Sequence, residues 1–233
     1  QLMFRKALVS TARQNGKSIA LQALIGWWVT EYAAMLGRPQ NVLSVANRLD
    51  RAEGIFAGLA PKLVELFDAK KLEAIGRKSV KFQDGSVWEI RAASKRLHGG
   101  SYDLIVIDEA FDISPDVVAE ALEPSQIARP NPLMSVWSTA GDEDSKFLSG
   151  MREACLAEID AGVTGLTYFA EWSLPPGANP RDESLWGYPN PSLGTTITVA
   201  ALRAADAPLD ARTEDLQDYL TDETQAAGAF ALL

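Results

Sequence analysis

The chain has 233 residues, 47% of them hydrophobic and 23% charged, an ordinary globular composition that fills one large domain or one domain with a small appendage. Its net charge of −9 argues against a simple nucleic-acid coat or clamp, which would be basic, but leaves room for a protein that touches DNA transiently through one face or within a ring. One Cys excludes an internal disulfide framework, and with one His it speaks against a zinc site.

The predicted elements alternate strand and helix through the first three quarters. Lys6–Ser10 reads as a strand, followed by a loop and a helix from Lys17 to Leu36 that Gly37-Arg38-Pro39 stops. The apolar part of that helix, from Ile19, is broken by Gln22, Thr30 and Glu31, so a buried amphipathic helix is a better reading than a membrane span. No signal peptide is visible, and the chain opens on Gln1 rather than Met, as a piece lacking its start would. Asn41–Ala46 is a second strand. Leu49–Phe67 has helical spacing, with Ile55, Leu59, Leu63 and Leu66 on one side. Val80–Phe82 and Val87–Ile90 flank Asp84-Gly85 and predict a hairpin. Leu104–Ile107 is apolar enough for a buried parallel strand. Ser114-Pro115-Asp116 reads as a helix start with Pro at the first position.

Leu133–Ser138 is a further strand, Ser145 to Asp160 a helix, and Leu166–Trp172 the last strand. After Ser173, prolines and glycines punctuate a loop, followed by short helical stretches at Thr198–Ala205 and Thr213–Thr221. We therefore expect an α/β core over 1–173, with a mostly parallel sheet between two helical layers, and a small appended segment over 174–233. Ligands in such folds sit at the carboxyl ends of the strands.

Two motifs fall at such ends. "STARQNGKS" (residues 10–18) closes on Gly16-Lys17-Ser18 between a strand and a helix, the placement a phosphate needs: close backbone approach at Gly16, a cation at Lys17, a hydroxyl for Mg²⁺ at Ser18. The first glycine of the usual phosphate loop is absent, because position 11 is Thr. "YDLIVIDEAF" (102–111) runs four apolar residues into Asp108-Glu109, an acid pair that is costly at the end of a buried strand unless it serves a metal or a water. Both motifs in this order point to a nucleotide triphosphatase. "SVWSTAGDED" (135–144) adds strand-end hydroxyls that can hydrogen-bond a phosphate or a water, or simply turn the chain.

Together with "YPNPSLG" near the end, these segments resemble the ATPase domain of the large terminase subunit of tailed bacteriophages, the motor that packages DNA into a prohead. The resemblance covers nearly the whole chain and implies a three-layer α/β/α P-loop NTPase fold of the RecA/ASCE type with a small C-terminal lid. It implies ATP and Mg²⁺, with Thr11, Ala12, Arg13, Gln14, Asn15, Gly16, Lys17 and Ser18 around the nucleotide. Lys17 matches the phosphate-loop lysine, Ser18 and Asp108 the Mg²⁺ site, Glu109 the catalytic glutamate, and Arg13 the loop arginine facing the γ-phosphate. Ser138, Thr139 and Ala140 match the motif coupling hydrolysis to motion. The arginine acting on a neighbouring subunit cannot be carried across cleanly: its usual place is His98-Gly99 here, and Arg96 is the nearest candidate.

As partners the resemblance implies double-stranded DNA, a homo-oligomeric ring, the portal and the small terminase subunit, in the host cytoplasm with no membrane. Such subunits continue into a nuclease; the sequence ends at "AGAFALL" without room for one, and no nuclease activity is expected of these residues. The basic residues Arg77, Lys78, Lys81, Lys95 and Arg96 read either as DNA-facing loops or as solvated surface. Two rival readings are a helicase-like DNA-dependent ATPase, which would need a second domain, and a nucleotide-binding assembly module without turnover.

Overall fold

A computed structural model describes residues 2–74, 77–95, 97, 99–141 and 144–206. Their eight strands form one sheet: β1 (Lys6–Ser10), β2 (Asn41–Ala46), β3 (Lys70–Ala74), β4 (Arg77–Lys81), β5 (Val87–Ala92), β6 (Leu104–Ile107), β7 (Leu133–Ser138) and β8 (Thr167–Glu171), in the order β3-β4-β5-β2-β6-β7-β1-β8. From β5 to β8 every neighbour is parallel, and β3 and β4 add an antiparallel edge. The strand that leads into residues 11–16 and the strand that leads into the acid pair are therefore not neighbours. β7 lies between them, paired Leu8↔Val136 on one side and Val106↔Ser135 on the other.

Helices cover both faces. On one, α1 (Lys17–Trp27), a π-helical stretch (Trp28–Tyr32), α2 (Ala33–Leu36) and α3 (Leu49–Phe67) pack Leu21, Ile25, Trp28, Ile55, Phe56 and Leu63 against Val42, Trp88 and Val106. On the other, the segment from Ala110 to Leu122, which contains α4 (Pro115–Val117), and α5 (Lys146–Asp160) pack against Leu8, Val45, Ile105, Ile107 and Met134. The fold is a three-layer α/β/α sandwich with a mostly parallel sheet, as the alternation predicts.

Most predicted elements keep their positions, and the departures have local causes. The 17–36 helix is continuous but carries a π-turn. Thr30 Oγ1 donates to the Gly26 carbonyl at 2.7 Å, competing for the backbone, and the turn brings Trp27 over Tyr32 with centroids 4.9 Å apart. This run is long and apolar enough to cross a membrane by length and composition, yet its buried side forms the core named above. Leu66 keeps the spacing of Ile55, Leu59 and Leu63 but is 71% exposed, one residue before the end of α3. β3 has no counterpart in the sequence reading, since its KKLEA is exposed throughout and shows no apolar alternation. Ser114 sits at the start of α4 with Pro115 next, but its hydroxyl does not cap the helix. The helix read at Thr198–Ala205 is α6 (Val199–Asp206), and the one read at Thr213–Thr221 lies outside the described residues.

The amino edge of the sheet is closed by one buried acid. Asp103, fully buried just before β6, accepts Arg38 Nη1 (2.8 Å) and the Asn41 backbone N–H (2.9 Å), with Arg129 Nη1 at 3.3 Å. This network ties the entrances of β2 and β6 and leaves the carboxyl edge to the loops.

Candidate functional site

The carboxyl ends of β1, β7 and β6 stand side by side and deliver the three motifs to one place. After β1 the chain turns through Thr11–Gly16 and enters α1. Gly16 takes φ 83°, a left-handed conformation a side chain resists, and Gln14 takes φ 62°. The Gly16 carbonyl accepts the Ile19 and Ala20 N–H groups, while those of Lys17 and Ser18 precede the first helical acceptor, the arrangement that binds anions at a helix start.

Lys17 folds back into this loop. Its Nζ lies 3.1 Å from the Thr11 carbonyl and 3.2 Å from that of Ala12. Burial lowers its pKa to about 8; Asp108 and Glu109 oppose that shift through their charge, and the Arg13 guanidinium adds to it. Lys17, Arg13 and both carboxylates thus share one electrostatic field, as a site for a bound anion and its counter-ion requires. Arg13 and Ser18 are exposed at its mouth.

The acid pair follows β6. Asp108 accepts the Glu109 N–H at 3.0 Å and makes no ion pair among the described residues. Burial pushes its carboxyl above the usual range, with the Glu109 charge acting in the same direction. Glu109 occupies the left-handed region (φ 54°, ψ 53°), a strained conformation for a non-glycine residue of the kind functional sites retain. Its Oε1 accepts Arg51 Nη1 at 2.8 Å, from the first turn of α3. Sequence reasoning missed Arg51, because nothing local distinguishes it from any surface arginine.

Ser138 joins the two halves. Its carbonyl accepts the Thr11 N–H (3.2 Å) at the base of the loop, and its hydroxyl accepts the Phe111 N–H (3.3 Å) just past the acid pair. Ser138 and Thr139 are buried and Ala140 is half-buried. The Ser138 hydroxyl is therefore engaged within the protein, which favours a bridging over a phosphate-binding reading.

The segment after β8 also reaches the loop. Asn15 Nδ2 donates to Asn190 Oδ1 (3.0 Å), and Asn15 Oδ1 accepts the Ser192 N–H (3.0 Å). "YPNPSLG" is one of the segments carrying the resemblance, but nothing in it shows that its residues meet the loop. Arg96 and His98 lie outside the described residues. Three of the basic residues considered for DNA are paired: Arg77 with Glu89, Lys78 with Glu53, and Lys95 with Asp116 and Glu120.

No family model matches the chain. It is 28% identical over 201 residues to the large terminase subunit of Enterobacteria phage HK97, covering 81% of this chain and 38% of that protein. The crystal structure of the HK97 bacteriophage large terminase superposes with a TM-score of 0.73 at 23% identity, over 93% of this chain and 46% of that one. The large terminase of a thermophilic bacteriophage, in complex with ADP, superposes with a TM-score of 0.57 at 11% identity, over 86% and 44%. The chain spans less than half the length of these relatives. They bear out the resemblance drawn from the motifs and the three-layer P-loop fold.

Proposed function

We propose that the chain is the ATP-hydrolysing motor domain of a viral terminase large subunit, driving double-stranded DNA into a prohead. What supports this reading is placement: the loop before Lys17 follows β1, Asp108 and Glu109 follow β6, and β7 between them ends at Ser138, which hydrogen-bonds to Thr11 on one side and Phe111 on the other. A half-buried amine and a half-buried carboxyl, each pushed toward its neutral form, both regain charge when a phosphate and a cation enter.

Lys17 leaves the Thr11 and Ala12 carbonyls to take the β- and γ-phosphates, and the loop N–H groups from Thr11 to Ser18 cradle them. Mg²⁺ fits the donors present. A hydroxyl at Ser18 and a carboxylate at Asp108 are hard oxygen ligands, and among the described residues no cluster of three or more His, Cys, Asp or Glu offers an all-protein cage. Bound there, the ion would neutralise charge on the phosphate oxygens. Glu109 turns from Arg51 to hold a water in line with the γ-phosphate, and Arg13 meets the charge spreading on it. Ser138-Thr139-Ala140 carries the change at the acid pair to the loop, and the 174–233 segment acts as the lid.

The ring, the portal, the small subunit and the host cytoplasm complete the proposal by resemblance. Arg96 stays the candidate for an arginine acting on the next subunit. The test is Mg²⁺-dependent ATP turnover by the wild type, Lys17→Ala and Glu109→Gln at high protein concentration. Turnover lost in both variants supports the motor. Nucleotide binding without turnover in the wild type favours an assembly module, and full activity in Glu109→Gln removes Glu109 as the water-positioning group.

A further inference from the structure

The phosphate loop is gripped from the C-terminal side by an amide pair whose polarity is fixed. Ser192 N–H can only donate, so it takes Asn15 Oδ1 (3.0 Å). The Trp186 carbonyl can only accept, so it takes Asn190 Nδ2 (3.1 Å). The remaining atoms, Asn15 Nδ2 and Asn190 Oδ1, then face each other at 3.0 Å as donor and acceptor. Asn190 is 1% exposed, so the alternative of bonding to water is closed to it.

Two weaker bonds flank the pair: the Pro189 carbonyl accepts Thr11 Oγ1 (3.3 Å) and the Ala12 N–H (3.4 Å). Behind them the segment has its own small core of Leu174, Trp186, Ile197 and Leu202, and Trp186 Nε1 donates to the Pro180 carbonyl at 2.8 Å. It is thus braced independently of the loop. Asn15 Nδ2 also lies 3.2 Å and 3.1 Å from the carbonyls of Ala12 and Arg13, within the loop itself. One side chain therefore contacts both the peptides of the loop and the segment beyond them.

We infer that Asn15 is a positioning residue that couples phosphate binding in the loop to the docking of residues 186–192, through its paired hydrogen bonds to Asn190 and Ser192. The inference rests on the nucleotide reading given above. Coupling of this kind is reciprocal: whatever loosens the amide pair also weakens the nucleotide.

Hydrogen exchange of the full chain, with and without Mg·ATPγS, tests this on peptides covering 10–18 and 186–194, with 104–107 as the internal standard. In the wild type the nucleotide slows exchange in both. In Asn15→Ala, at saturating nucleotide, slowing persists at 10–18 and is lost at 186–194, and affinity falls about tenfold. Asn190→Leu tests the same pair without altering the loop, by removing the oxygen that accepts Asn15 Nδ2. It gives the same loss, and it decides the matter if Asn15→Ala does not fold by circular dichroism. Slowing confined to 10–18 in the wild type overturns the coupling and leaves the nucleotide reading intact. No response in either peptide overturns both. Retained slowing at 186–194 in both variants shows that the loop and the segment communicate without Asn15.

Discussion

Arg51 Nη1 donates to Glu109 Oε1 at 2.8 Å, so the carboxylate proposed to position water is held by a residue of α3. Arg51 is 56% exposed and Glu109 27% exposed at the side chain, a half-open pair of modest strength. Such pairs contribute about 0.2–1 kcal/mol, enough to bias a rotamer but not to lock it. Removing the arginine should release Glu109 toward the phosphate loop. Arg51→Ala is expected to raise basal ATP turnover about two- to fivefold, read as steady-state phosphate release. A tenfold loss would instead show that Arg51 holds Glu109 in its working position.

The low pKa of Lys17 predicts the pH dependence of binding. Phosphate binding requires the charged amine, which is present below about pH 8 and lost above it. Nucleotide affinity should fall by about tenfold per pH unit above 8, as expected for one proton. Lys17→Arg keeps its charge and should flatten the curve, which titration calorimetry from pH 6.5 to 9.5 would read directly. Lys17 also affects the fold. Its folded pKa of about 8 lies below the unfolded 10.5, so the unfolded chain binds more protons between them. Its contribution to stability therefore rises with pH across that window.

Ser138 is the hydrogen-bonded joint between loop and acid pair. In Ser138→Ala the Thr11 N–H keeps its carbonyl partner while the Phe111 N–H loses its acceptor. The expected cost is about 1–2 kcal/mol in urea unfolding. Because the turn holding Asp108 and Glu109 loosens while the loop does not, kcat should fall about tenfold with little change in nucleotide affinity. A variant that loses affinity and keeps kcat would reverse that assignment.

Asp103 predicts stability at a distance from the site. Asp103→Ala leaves Arg38 and Arg129 without their buried partner and frees the Asn41 N–H. Both arginines keep some solvent, with side chains 31% and 21% exposed, so the loss should be about 2–4 kcal/mol, below that of a fully enclosed pair. Thermal unfolding measures it, and nucleotide affinity at a temperature where the variant is folded should be unchanged.

The sequence by itself determined the local units. Apolar runs, the Asp84-Gly85 turn and the Gly37 stop placed seven of the eight strands and the long helices, because each records a backbone period or a residue-specific conformation. It also supplied the members of the proposed site: Gly16-Lys17-Ser18 and Asp108-Glu109 are types whose chemistry is legible without neighbours. It set Leu66 on the side of Ile55, Leu59 and Leu63, but spacing does not say that Leu66, near the helix end, is 71% exposed. It missed β3, an exposed edge that needs no apolar alternation.

Only the tertiary structure decided which units stand together. That β7 lies between β1 and β6 depends on how the crossovers pack over the sheet, a non-local outcome absent from any window of sequence. From that order follow the Ser138 bridge, the field shared by Lys17 and the two acids, and the reach of Arg51 to Glu109. The Asn15 amide pair, 175 residues apart in the chain, belongs to the same class. Its two asparagines carry no period and no special backbone conformation, and they acquire meaning only when folding sets one polar atom opposite another.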